Sequence, residues 1–458
     1  MTKIAHNTIS SQPTLMEPAR HLPIRGEYDV VVIGGGPAGL AAAASASRRG
    51  ASTLLVEAYG FLGGMGTAGG VTNFAGLYGR HQGEMRQLVR GAADELLARI
   101  GALDGLNEPQ DGMQGRIRVR SYDTSVYKCA ADQWMLAEGV NLLFHARACS
   151  VLMDGSRVTA LIVETKSGRQ AIRANVFIDC SGDADVAVFA GVPYEVGDGH
   201  GSGLFPTTMF RVGHVDASKA LPAVGEFRAI NDVMERVQRE HPGRYRFPRD
   251  GAILRPQIHS SEWRANVTQI ANADGNAMNA VDATELSAGE VEGRRQIIEY
   301  FQFLREQVPG FSEARIVEIA PQIGIRETRR VQGLYALTGD DILNSGTFDD
   351  TIGINAWPME LHRSGGISWG FPSDPDRAYN DLPWRMLVPV HVQNLLIAGR
   401  CASMTHEGQS AARASGGCFV MGQAAGTAAA LAGNTPMQEL DVGRLQRALV
   451  EDGGLLRP

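Results

Sequence analysis

The chain has 458 residues, more than one simple core needs, so two interleaved domains are expected. Its 50 acidic and 43 basic residues leave a net charge of -7 with no long charge runs, which gives no support to a nucleic-acid surface. Five cysteines without a CxxC pair argue against a disulfide framework, a zinc site or a dithiol centre, and point to a reducing, cytoplasmic compartment. No His/Cys/Asp/Glu grouping has metal-ligand spacing, so no metal is expected. Residues 1–26 contain no apolar h-region and read as an N-terminal arm, while 419–433 is too short and too rich in Gly and Ala to span a membrane.

The first folded signal is the apolar run Tyr28–Ile33, which reads as a strand and leads into Gly34-Gly35-Gly36-Pro37-Ala38-Gly39. Gly34 permits a tight turn, Gly36 lets backbone approach a pyrophosphate, and Gly39 lets the next helix lie close to the sheet. That helix, expected over 37–49, tolerates Pro37 in its first turn and directs free N–H groups and Ala38 toward the phosphates. A second strand over 52–56 ends on Glu57, whose carboxylate suits ribose hydroxyls. The pattern predicts a dinucleotide site.

Residues 58–70 hold six glycines in thirteen positions, and a backbone so bare can pass close to a flat ring, with Gly63, Gly64, Met65 and Thr67 along its path. Apolar spacing predicts helices over 84–100 and 124–138. Strands follow over 141–144, 148–153, 158–165 and 170–172, joined by Asp-Gly and Ser-Gly turns as a meander. A further parallel strand, 176–179, ends on Asp179 and meets a sharp turn through Gly182 and Asp183.

Residues 193–389 carry most of the prolines and a long helical stretch over 285–307, without a second GxGxxG, and form the candidate α+β substrate domain. The chain then returns with a strand over 394–398, a turn at Gly399-Arg400 and a small-residue helix from Gly416 to Ala432. A cofactor domain of 27–192 plus 390–458 is therefore expected, α/β and Rossmann-like, with a parallel sheet plus a β-meander.

Six segments in this order, Gly34–Gly39, Gly63–Met65, Asp179–Asp185, Gly324–Arg330, Asn394–Arg400 and Gly422–Thr427, resemble the broad FAD-dependent oxidoreductase family related to fumarate reductases and the glutathione reductase fold. The resemblance implies bound FAD and redox chemistry on a small molecule, and fixes no substrate. One departure is Arg400, which stands where many such proteins have an Asp on the ribityl chain; Asp183 could serve instead, or Arg400 could reach a phosphate.

A helix beginning at Gly416-Gly417 could put positive potential beside the flavin. His406, His362 and Arg413 are the candidate catalytic residues, histidine because its pKa needs little tuning to exchange a proton near neutrality. Arg326 and Arg329 belong to the densest cationic cluster and are candidates for a substrate carboxylate, or for ion pairs between domains. The leading expectation is a dehydrogenase or reductase that moves hydride between flavin N5 and a small organic substrate. A flavin-dependent monooxygenase and a non-catalytic flavoprotein are the alternatives. Without a second dinucleotide motif, the electron partner is expected to be a separate carrier, O2 or transiently bound NAD(P)H, in a soluble protein that could form oligomers.

Overall fold

The computed structural model describes residues 13–225, 227–251 and 253–458 and is built around a seven-stranded mixed sheet. Along the chain, β1 (Ile24–Ile33) leads through the glycine turn into α1 (Pro37–Arg48) and β2 (Thr53–Val56). A hairpin of β3 (Tyr78–His81) and β4 (Glu84–Gln87) precedes α2 (Ala92–Gly101) and α3 (Thr124–Ala137). Then come β5 (Asn141–Leu143), β6 (Arg147–Asp154), β7 (Arg157–Thr165) and β8 (Gly168–Asp179). The middle of the chain supplies β9 (Phe210–Gly213), β10 (Ile253–Pro256), β11 (Trp263–Asn266), α4 (Ala283–Gln307) and β12 (Arg315–Ile319). The last part supplies the hairpin β13 (Met359–Arg363) and β14 (Gly366–Gly370), then β15 (Leu395–Ile397), α5 (His406–Ala412) and α6 (Ser415–Ala432).

The main sheet runs β5-β2-β1-β8-β7-β6, with β15 also pairing β8. Strands β5, β2, β1, β8 and β15 are parallel, and their register puts Leu143, Val56, Ile33, Asp179 and Ile397 in one row. The turns that follow these residues therefore gather at one edge, the carboxyl end of a parallel sheet, where such folds bind ligands. Alternation sorts the two faces. Val30, Val32 and Leu55 join the cluster formed with α1 and α6, while Val31, Ile33, Leu54 and Val56 join Val158, Leu161 and Val163.

Strand β8 is one continuous element, not the expected pair 170–172 and 176–179. Its first half pairs antiparallel with β7 and its last three residues pair parallel with β15, so the strand carries the meander directly into the parallel sheet. The expected helix over 84–100 also divides. Gln82 and Gly83 both take positive φ, 52° and 80°, the two-residue turn that matches the twist of a hairpin, so Met85 belongs to β4 and helix begins only after Gly91. At the N-terminus, Ile24, Arg25 and Gly26 of the expected arm belong to β1, and residues 1–12 lie outside the described residues.

Strands β10-β11-β9-β12 form a separate antiparallel sheet. Its Phe210, Val212, Trp263 and Ala265 pack against Ile297, Tyr300, Phe303 and Leu304 of α4, whose first turn is capped by the Asp282 carboxylate. Residues 337–388, by contrast, contribute Leu337, Ile352, Leu382 and Leu387 to the apolar cluster of α1 and α6.

Helices α1 and α6, from opposite ends of the chain, meet backbone to backbone. A Cβ on Gly422 would lie 2.0 Å from the Ala38 carbonyl oxygen, and one on Gly426 would lie 2.0 Å from that of Ala42. Gly426→Val should therefore cost about 3 kcal/mol of stability in chemical denaturation; a cost below about 0.5 kcal/mol, typical of a surface change, would contradict this packing.

Candidate active site

The turn after β1 uses its glycines for different reasons. Gly34 takes φ +99° and donates its N–H to Val56 O at 2.8 Å, and a Cβ there would lie 2.4 Å from Cys180 O. At Gly39 a Cβ would sit 1.8 Å from Gly34 O, so this glycine sets the approach of α1 to the sheet. Gly36 differs: its φ is -74°, and a Cβ would meet only Gly64 Cα, at 3.7 Å. Neither backbone nor neighbours require glycine there, and the position faces a cavity. No side chain caps α1, so its first N–H groups present a positive end at this turn. Glu57 is buried, accepting N–H groups from Gly35 at 2.6 Å and Tyr59 at 2.9 Å. Burial raises its pKa against the pull of those bonds.

The turn after β8 is held by Asp179, whose buried carboxylate accepts from the Ser181 N–H, the Ser181 hydroxyl and the Ala187 N–H. Beyond it, Asp183 accepts from Arg400 Nη2 at 2.9 Å, and Arg329 Nη2 bonds Asp185 at 2.6 Å. Burial, with Asp183 and Asp179 nearby, pushes the Asp185 carboxyl up to about 6. Gly63 ties the glycine-rich loop to the first turn by donating to Gly35 O at 2.8 Å, and Thr67 Oγ1 bonds Leu62 O. The expected free N–H groups at the start of α6 are partly spent: Gly416 N–H donates to Ala75 O at 2.9 Å, and a Cβ on Gly416 would strike Gly76 O.

These turns line one cavity of about 900 Å³ that continues to the β10-β11 face of the second sheet. At that end stand Arg249, Arg255, Arg264, Arg326 and Arg413. Arg255 and Arg264 are paired across β10 and β11, so their side chains project from one face, opposite the Trp263 and Ala265 that pack on α4. The carboxylates at this end are Glu360, which is half-buried, and Asp250, which is exposed and makes no ion pair among the described residues. Arg413 lies 3.8 Å from Glu360. Arg264 bonds the Asn73 side chain and Arg249 and Arg326 bond backbone carbonyls, while Nε of Arg249, Arg264 and Arg413 has no hydrogen-bond partner among the described residues. Burial lowers every one of these guanidinium pKa values, to about 10 at Arg249 and about 9 at Arg264, and the neighbouring cations add to it at Arg264 and Arg326. A guanidinium keeps its proton at neutral pH, so the burial of Arg249, Arg264 and Arg326, which make no ion pair among the described residues, is costly and becomes attraction for an anion.

Glu360 also receives Trp357 Nε1 at 3.0 Å and contacts His362 Nε2 at 3.1 Å. Burial alone would raise the Glu360 carboxyl, but His362, Arg413 and Arg326 hold it well below the carboxylate range. Burial and Arg326 push His362 well below the usual imidazole range. The pair is therefore an ionised carboxylate accepting from a neutral ring, with Nδ1 left as the ring's acceptor.

A family model described as FAD dependent oxidoreductase matches residues 29–449. The chain belongs to the FAD-dependent oxidoreductase family. It is accordingly an enzyme whose cofactor is FAD. Solved structures with a similar fold include a geranylgeranyl bacteriochlorophyll reductase-like protein from Thermoplasma acidophilum, at 11% identity and TM-score 0.46, covering 94% of this chain and 84% of that one. OxyS anhydrotetracycline hydroxylase from Streptomyces rimosus, at 16% identity and TM-score 0.44, covers 92% of this chain, which spans 64% of the hydroxylase chain. The flavin-dependent brominase Bmp2 aligns at 13% identity and TM-score 0.45, over 93% of this chain and 83% of its own. No curated protein matches in sequence.

Of the residues singled out for this FAD-dependent oxidoreductase, Gly34, Gly36, Pro37, Ala38, Glu57, Gly64, Met65, Gly182, Asp183, Gly399 and Arg400 line the cavity, as do His362, Arg413, Arg326 and Arg329. Gly39, Gly63, Thr67, Asp179, Gly416 and Gly417 stand behind its wall and support the turns. His406 does not line it: its Nδ1 lies 2.9 Å from Glu327, which also pairs with Arg330 and accepts from Leu204 N–H. Sequence reasoning missed Arg249, Arg255, Arg264 and Glu360. A signal for one was available, since Arg264 interrupts a strand between Trp263 and Ala265. Among the described residues no helix is long and apolar enough to cross a membrane, and no His/Cys/Asp/Glu group could hold a metal ion.

The cradle at Gly36 fits a dinucleotide, because the bare backbone there faces open cavity with no protein neighbour to require a glycine. Gly36→Ala should leave the FAD-free protein equally stable, or stabilise it by about 0.5 kcal/mol through the unfolded state, while lowering the flavin content of purified protein. Destabilisation with flavin content unchanged would show a packing role instead.

Proposed function

We propose that this FAD-dependent oxidoreductase is a dehydrogenase or reductase acting on a small organic substrate bound between the glycine turn and the arginine-bearing sheet. In this reading Gly34, Gly36 and the start of α1 hold the pyrophosphate, Glu57 the ribose, and Asp183 with Arg400 the middle of the cofactor. FAD, when bound, supplies two-electron redox chemistry. The chain's own contribution is at the other end of the cavity, where His362, oriented by Glu360, exchanges a proton with substrate through Nδ1. The observation that carries this reading is the cavity itself, which is lined by the glycine turn at one end and the Glu360–His362 pair at the other. A neutral, carboxylate-oriented imidazole is suited to proton transfer at neutral pH, and the arginines around it disfavour its protonation. We assign no proton-transfer role to His406, because Glu327 engages it away from this cavity.

Anaerobic addition of candidate metabolites should bleach the yellow protein when the true substrate or product is present. If NAD(P)H alone bleaches it and labelled oxygen from O2 enters the product, the enzyme is a monooxygenase. His362→Asn should slow substrate-dependent bleaching by about a hundredfold or more. Since His362 titrates well below about 6.5, the wild-type rate should stay flat as pH falls through that value; an acid limb near it that His362→Asn abolishes would contradict a neutral imidazole.

A further inference from the structure

At the sheet end of the cavity the buried cations outnumber the carboxylates beside them. Arg249, Arg264 and Arg326 are buried there, with Arg255 beside Arg264 in strand register, and the carboxylates at this end are the half-buried Glu360, which Arg413 approaches to 3.8 Å, and the exposed Asp250. Structural arginines elsewhere in the same sheet are treated differently. Arg211, next to Arg264 in register on β9, has Glu318 at 2.7 Å, Glu262 at 3.2 Å and Asp123 at 3.8 Å. The fold thus supplies acids for Arg211, while Arg249 and Arg326 bond carbonyls, Arg264 bonds an amide, and Nε of Arg249 and Arg264 has no hydrogen-bond partner among the described residues. The arginines in the middle of the cavity are also matched, Arg400 by Asp183 and Arg329 by Asp185. At the far end Arg249, Arg264 and Arg326 are buried without an ion pair among the described residues.

From this geometry we infer that the enzyme's substrate is a small organic polyanion with two or more carboxylates, gripped by Arg249, Arg255, Arg264, Arg326 and Arg413. The inference deepens the proposed function and rests on the same cavity. Planar guanidinium forks pair with carboxylates through two parallel hydrogen bonds, and several forks converging from a sheet, a loop and the end of α5 can hold carboxylates at separate points of one molecule. Trp357 and Trp369 line the same end and offer apolar surface to the carbon skeleton between those groups. Burial and the Arg326 charge keep His362 beside this site unprotonated while Glu360 orients its ring, so the anion and the proton acceptor can face the same carbon.

Calorimetric titration of the FAD-loaded protein with succinate, citrate, acetate and sulfate at matched ionic strength tests the inference without turnover. Citrate and succinate should bind saturably and about tenfold or more tighter than acetate or sulfate. Arg264→Met should weaken that binding by about tenfold or more, because a buried charged contact is lost. Its flavin content should be unchanged and its thermal unfolding no lower than that of wild type, since replacing an unmatched buried charge by an apolar side chain removes a cost. Arg249→Gln provides the same comparison should Arg264→Met fail to fold. Equal binding of acetate and succinate, sulfate as tight as citrate, or loss of flavin in step with loss of the arginines would overturn the inference. Tight succinate binding in a protein that no metabolite ever bleaches would instead sink the redox reading and leave the polyanion site standing. Bleaching by a neutral compound without any anion preference would do the reverse.

Discussion

The site depends on a close crossing of two helices from opposite ends of the chain. Gly422 and Gly426 let α6 lie on the carbonyls of Ala38 and Ala42, nearer than any side chain would permit. That contact brings the return strand β15 and the Gly399-Arg400 turn against the first glycine turn, where a Cβ on Gly399 would lie 3.1 Å from Ala38 Cβ. The same crossing puts Ser415 and Cys418, at the start of α6, in the wall of the cavity. The ends of the chain therefore complete a binding site that neither end contains alone.

Against that rigid frame the cavity is divided electrically. Its turn end gives a helix N-terminus and the ion pairs of Arg400 with Asp183 and Arg329 with Asp185. Its sheet end gives buried guanidinium groups with the half-buried Glu360 as the nearest carboxylate. Such a surface is costly in the free protein, because each ion taken from water needs a partner of opposite charge. Functional sites commonly hold such locally unfavourable arrangements, and the rest of the fold offsets the cost. Here the offset comes from the apolar clusters flanking the parallel sheet and from the packing of α4 beneath β9 and β11.

The parallel-sheet half of the fold was legible because its signals are local: a strand, a glycine turn and a helix with Pro37 in its first turn lie within a few residues of one another. The β3-β4 hairpin was not, since Met85, Leu88 and Val89 also satisfy helical spacing and the deciding feature is a positive φ at Gln82. The cationic wall was the least legible part. Arg255 and Arg264 become neighbours only through the antiparallel register of β10 and β11, and Arg249, Arg326 and Arg413 arrive from three other segments, so no spacing along the chain announces them. Position along the chain also placed His406 just after the Gly399-Arg400 turn without fixing where its ring points. The carboxylate of Glu327, buried between Arg330 and the Leu204 amide, takes it out of the cavity wall.

The central claim is that the glycine turn and the cationic wall are two ends of one binding space, so that an anion at the second is felt by the flavin anchored at the first. The visible absorbance of the FAD-loaded protein during a citrate titration tests this most directly. The account predicts a saturable shift of the flavin bands with the same dissociation constant that calorimetry gives. Citrate binding that leaves the flavin spectrum untouched would put the anion site elsewhere and contradict it.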